Sequence, residues 1–218
     1  MAEDRELDGR RRALLERMLR HAPFDGWSLK ALEAGARDLG LDLGEATLLF
    51  PGGLTELVAF HHAEADRVML EALGRHDLAG LRVRDRVALA LRLRLEPHAR
   101  EREAIRRALA FLAQPQHAPL AARLLYRTVD AVWHAIGDRS TDFNFYTKRA
   151  LLAGVYSTTV LYWLDDKSEG QAESWGFLDR RIADVMRVPQ GLARLGKLGE
   201  RFPDPFKLLR ALRRRGAA

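Results

Sequence analysis

Residues 9–53 read GRRRALLERMLRHAPFDGWSLKALEAGARDLGLDLGEATLLFPGG, and this stretch decides the fold. From Gly9 to His21, Ala13, Leu14, Leu15, Met18 and Leu19 share one face of a 3.6-residue period and arginines take the other. The period predicts a helix there, stopped by Pro23 and Gly26. Ser28 is placed to cap a second helix from Leu29 to about Leu39, with Gly40 after it. A short third helix, Gly44 to Phe50, runs up to Pro51-Gly52-Gly53. Three small helices thus precede everything else.

Beyond them the helical period persists through longer segments: Leu54–Leu73, Val83–Glu96, Ala99–Ala113, Pro119–Ile136, Asp142–Leu164 and Ala172–Arg187. Gly74, Pro97, Pro115, Gly137 and Gly170 punctuate them, Asp142 is placed as an N-cap, and Pro119 suits a first helical turn. Almost nothing alternates over a strand's length. The expected fold is all-α: a helix-turn-helix-like head (1–52), a helical bundle (53–187) and a basic amphipathic tail (188–218).

The chain has 218 residues, 47% of them hydrophobic and 30% charged, a composition that folds into an ordinary core rather than a disordered or fibrous chain. It contains no cysteine, which excludes disulfides, thiolate metal sites and cysteine nucleophiles. The first residues mix acids with bases and lack an apolar run, so neither a secretory signal nor a transit peptide is expected and the expected location is cytoplasmic. The longest uncharged stretch, Ala150–Leu164, has 15 residues, short of the roughly 20 needed to span a bilayer. A helix apolar all round reads as a central core helix; the alternative is that one face packs while another lines a cavity or a partner surface. Aromatics crowd here: Phe143, Phe145, Tyr146, Tyr156, Tyr162 and Trp163.

No catalytic constellation emerges. His61-His62 with Glu64 and Asp66 offers metal-competent groups, but adjacent histidines diverge on a helix and no His-Glu-x-x-His occurs, so a solvated helix face is expected and no metal. His134, Asp138 and Asp142 read more simply as capping and solvated groups. Gly191–Leu198 imitates a phosphate loop except that Leu198 replaces the hydroxyl residue and no strand precedes it. A binding protein, not an enzyme, is expected.

Charge separates the ends. From Arg187 onward nine Lys/Arg stand against Glu200 and Asp204, a net +7, so residues 1–186 carry −1 of the total +6. In the tail, Leu192, Leu195, Leu198 and Phe202 recur every third or fourth residue with Arg194, Lys197 and Arg201 between them. Basic amphipathic helices of this kind lie in an anionic headgroup region, the alternative being a helix docked on its own bundle. The three-helix head before a bundle resembles the layout of tetracycline-repressor-type regulators, and Pro23–Ser28 resembles that family's turn into its second helix. Yet residues 1–62 hold eight Lys/Arg against eleven Asp/Glu, a net −3, and Gly44–Phe50, the recognition helix by that resemblance, has an acid and no base. Phosphate neutralisation and base readout need the opposite, so no nucleic-acid binding is expected.

Asp138-Arg139-Ser140-Thr141-Asp142-Phe143-Asn144-Phe145-Tyr146-Thr147-Lys148-Arg149-Ala150, then Gly154–Thr159 and Trp175–Met186, resembles the ubiquinone-biosynthesis accessory family of the Coq-nine type. Phe145 stands where that pattern has tryptophan. The resemblance implies a non-enzymatic repressor-like fold, a lipid pocket holding an isoprenoid quinone precursor or phospholipid, and no other cofactor. It also implies a C-terminal membrane helix on the bacterial inner membrane, a homodimer and a partner, the di-iron demethoxyubiquinone hydroxylase. Carried over by motif, the partner surface is Asp142, Phe145, Tyr146 and Arg149, which share a helix face; the plainer alternative is that Asp142 caps, Tyr146 packs and Arg149 pairs with an acid. Pocket candidates are Leu125, Val129, Trp133, Leu152, Tyr156 and Trp163, each equally open to a core role. A ligand-responsive transcriptional regulator is the alternative function.

Overall fold

The computed structural model describes residues 2–138 and 143–199, with side-chain surroundings for 4–138 and 146–187. Among the described residues there is no strand, and nine α-helices form the molecule: α1 (Ala2–Asp25), α2 (Leu29–Arg37), α3 (Leu43–Leu49), α4 (Gly53–Leu73), α5 (Val83–Leu95), α6 (Arg102–Leu112), α7 (Ala118–Ala135), α8 (Phe143–Asp165) and α9 (Ala172–Gly199). Short 3-10 turns at Glu96–Glu101, Pro115–His117 and Glu169–Gln171 join three of the pairs.

Capping explains the head's boundaries. Ser28 accepts the Ala31 amide at 3.2 Å to open α2, and Asp42 with Glu45 forms a reciprocal capping box at α3. Pro23 does not stop α1, contrary to expectation: the helix runs on to Asp25 and turns at Gly26, whose φ is +69°. Proline's missing N–H costs one ladder bond, but here it falls in the last turn, where Ala22 is still fully buried. The bundle helices start and end within a residue or two of their expected limits, except at the two ends of the chain and before α6. There the 3-10 turn at Glu96–Glu101 takes the first residues of the helix expected from Ala99. No break occurs between 187 and 188: α9 continues through Pro189 to Gly199, so Gly191–Leu198 is helix and not a phosphate loop.

Two hydrophobic clusters form the core. One gathers Leu14, Met18, Leu32, Ala46, Leu49 and Phe50 of the head with Leu57 and Val58 of α4, Ala104, Ala108 and Leu112 of α6 and Leu124 of α7. The head therefore closes its core only against the bundle. Trp27 locks this joint, its indole N–H donating to the Ala104 carbonyl at 2.9 Å. Arg11 lies between the rings of Phe50 and Phe60, 4.6 and 4.8 Å from their centroids, and pairs with Glu56. The second cluster joins α4, α5, α7, α8 and α9 around the fully buried Trp163, with Leu91, Val132, Leu152, Val155 and Leu178.

A cavity at the meeting of the two cores

Between α4, α5, α6, α7 and α8 lies a cavity of about 380 Å³. Ile105, Leu109 and Leu112 of α6, Leu124 and Leu125 of α7, and Val160 and Leu161 of α8 make its walls apolar. The cavity exists because α8 is divided by face. Leu152, Val155 and Trp163 pack inward, Tyr156, Ser157, Val160 and Leu161 line the cavity, and Tyr146 stands 70% exposed. Leu161 both lines the cavity and is 60% exposed, which places the mouth at that residue. Two of the helix's hydroxyls are satisfied within it, Thr158 donating to the Gly154 carbonyl and Thr159 to that of Val155.

One end is polar: His61, His62, Arg94, Thr128, Tyr156 and Ser157. Arg94 and Asp66 are both buried, Arg94 Nε donating to Asp66 at 2.7 Å and the Thr128 hydroxyl to the same carboxylate at 2.9 Å. This hydrogen-bonded ion pair balances the charge that burial penalises, whereas removing either partner leaves an unpaired buried ion. Burial raises the Tyr156 phenol, opposed by Arg94 and reinforced by Asp66, so it stays protonated. Burial also drives His61 well below its ordinary value, helped by His62, His98 and Arg94, and the same cause with Arg94 pushes His62 down to about 4. Both rings are neutral near pH 7 and present lone pairs.

The expectation of a solvated face at His61–Asp66 is therefore corrected. His61 and Asp66 point inward, while Glu64 outside binds Arg12 and Arg67. The 3-10 turn brings His98 and Glu101 beside His61, so that one ligand atom of each lies within 4.8 Å of the others. Neither ring nitrogen of His61 has a hydrogen-bond partner, nor does Nε2 of His98. Sequence spacing could not reveal this group, because His98 and Glu101 lie in another element, more than a helix away in the chain.

Of the expected pocket residues, Leu125 and Tyr156 line the cavity. Val129, Leu152 and Trp163 belong to the interior cluster and do not reach it. Trp133 is partly buried against that cluster, its N–H on the Lys148 carbonyl at 3.3 Å. His61, Arg94 and the α6 wall were missed; the period of α6 marks a buried face but not which buried residues border empty space.

The model of the COQ9 family matches residues 118–189, which is α7, α8 and the first part of α9. "Ubiquinone biosynthesis protein COQ9, mitochondrial" from Rattus norvegicus is 35% identical over 197 residues, 86% of this chain and 62% of that protein. The Drosophila melanogaster protein of the same name is 32% identical over 209 residues, 94% of this chain and 64% of its own length.

The chain belongs to the COQ9 family.

It spans under two thirds of these COQ9 relatives. A TetR transcriptional regulator from Nitrosomonas europaea ATCC 19718 has the same fold, with TM-score 0.68 at 22% identity, 82% of this chain and 98% of that chain being covered. The family match includes the segment expected to meet a partner. There Arg149 is buried, donating to Asp130 of α7 at 2.7 Å, so it fastens α7 to α8, while Tyr146 faces outward. Asp138 likewise is engaged, by Lys148 at 2.8 Å. Asp142 lies outside the described residues, as does the side chain of Phe145. Of the tail, Leu192, Arg194, Leu195, Lys197 and Leu198 are on the helical backbone of α9, their side chains outside the described set together with Arg201 and Phe202. No described helix is long and apolar enough to cross a membrane.

Proposed function

We propose that this COQ9-family chain is a non-enzymatic lipid-binding accessory protein in ubiquinone biosynthesis. It takes an isoprenoid quinone precursor, or a phospholipid chain, into the α4–α8 cavity and presents it to the di-iron demethoxyubiquinone hydroxylase at the membrane. The observation that carries this reading is the cavity itself: apolar walls, a polar end at His61, Arg94 and Tyr156, and a mouth at Leu161. Small-molecule sites are built this way, with mostly apolar lining and a few polar groups that orient the ligand. An isoprenoid tail with a polar ring matches both parts, and the relatives' names supply the pathway.

The outward Tyr146, with Phe145 one residue before it, is the natural anchor for the hydroxylase, and homodimerisation belongs to the same proposal. The basic tail, Leu192 to Phe202 and beyond, holds the chain on an anionic membrane surface. A regulator function is favoured by the repressor-like fold, but the head's net −3 and an α3 carrying Glu45 and an 80% exposed Leu48 oppose it.

Mass spectrometry of organic extracts from the purified protein, beside a Leu125→Trp variant that fills the cavity, tests the proposal. Isoprenoid quinones or phospholipids should co-purify with the wild type and be depleted in the variant. A polar metabolite, or extracts identical to those of a mock purification, would sink the lipid role and restore the regulator reading.

A further inference from the structure

We propose that His61, His98 and Glu101 bind a divalent transition-metal ion, with zinc the best match to the donors. His61 comes from α4, and His98 and Glu101 from the 3-10 turn between α5 and α6, with one ligand atom of each within 4.8 Å of the others. The second, independent observation is the state of the rings. His61 is only 5% exposed and neither of its nitrogens has a partner, and Nε2 of His98 is buried and equally unpartnered. A buried polar atom left without a partner costs about 1–3 kcal/mol, so His61, with both ring nitrogens unpartnered, calls for a ligand.

The orientation fits an ion. Nδ1 of His98 lies 2.8 Å from Glu101 Oε2, so its N–H donates to the carboxylate. An ion would take the place of the proton shared there, with Nδ1 of His98 and the Glu101 carboxylate, which lie on one side of the ring, as its ligands beside a nitrogen of His61. Glu101 supplies the negative charge. The nearby Arg94 is neutralised by Asp66 rather than standing alone. Two imidazoles and a carboxylate form the ligand set of zinc sites that keep an open position, whereas calcium and magnesium select all-oxygen sets. Ligands on one zinc ion sit about 3.4 Å apart, given bonds of roughly 2.0–2.1 Å, so the ligand atoms need to close by up to about 1.4 Å. A bound ion would tie α4 to the α5–α6 connection, next to Trp27, whose ring lies 5.3 Å from that of His61.

The test uses the untagged full chain freed of metal with a chelator. Cobalt(II) is titrated while its visible ligand-field bands are recorded, and zinc(II) is titrated by calorimetry and then used to displace cobalt. The expected result is one equivalent bound, a higher melting temperature with zinc, and affinity reduced at least about tenfold in His98→Asn and in Glu101→Gln. His61→Asn should abolish binding, but it alters a buried ring. The two partly exposed variants, checked for unchanged circular dichroism, therefore carry the decision. The absence of saturable binding near one equivalent, or binding unaltered in both variants, overturns the site; the latter means an adventitious ion only. The metal titration and the lipid extracts are separate readouts, so failure of this site is distinguishable from failure of the lipid role.

Discussion

Gly35 sits where α2 crosses α1, and a Cβ there would lie 2.6 Å from the backbone nitrogen of Met18 and 2.8 Å from its Cα. Backbone cannot step aside as a side-chain tip does, so the helices must separate or the head must tilt. Gly35→Ala should therefore destabilise the protein by about 2–3 kcal/mol despite alanine's better helix propensity, lowering the melting temperature by several degrees. Thermal denaturation checks this; an unchanged or raised melting point would mean that α1 is not held against α2 so closely. The glycine could be read as a helix weakener from sequence, but its purpose needs the neighbour. His61 teaches the same lesson, since its fate was set by His98 and Trp27, residues that no spacing rule attaches to it.

At the scale of elements, the joint between α8 and α9 depends on Asp166, which is buried and accepts from the amides and hydroxyls of Ser168 and Ser174. Burial alone would raise its carboxyl, but those four donors outweigh it and hold the value down to about 2, against an ordinary 3.8. Because the folded state then binds fewer protons than the unfolded chain, this stability is present above about 3.8 and is lost as pH falls through about 2. Asp166→Asn should cost about 1–3 kcal/mol at pH 7. The gap to wild type should narrow between pH 4 and pH 2. Denaturant titrations of both proteins across that range check it, and a gap independent of pH would remove the carboxylate from the account. The cap residue Ser28 was legible in the sequence because capping is local. Asp166 was not, because its donor Ser174 lies in the next helix, beyond the turn at Gly170.

For the whole molecule, the opposed charges of body and tail are the main property. Residues 1–186 sum to −1 and the remainder to +7, so an anionic surface attracts one end only. Full-length protein should float with anionic vesicles, less so as salt rises, and protein lacking residues 188–218 should stay behind. Equal recovery of the two would assign the tail another role. The head depends on the bundle, because Ala104, Ala108 and Leu112 of α6 complete its core.

The sequence by itself determined the all-α class, the order of the helices, most of their boundaries and the charge of each end. These follow from periodicity, caps and composition, which act over a few residues. Its signature at 138–186 pointed to the COQ9 proteins that the chain is similar to. Only the tertiary structure decided which apolar residues border a cavity, since Leu125 and Tyr156 do so while Val129, Leu152 and Trp163, with the same periodicity, fill the core. It likewise turned Arg149 toward Asp130 and brought His98 and Glu101 to His61. The physical reason is common to all three: a helix period states that a face is buried, but what that face meets depends on the packing of helices distant in the chain.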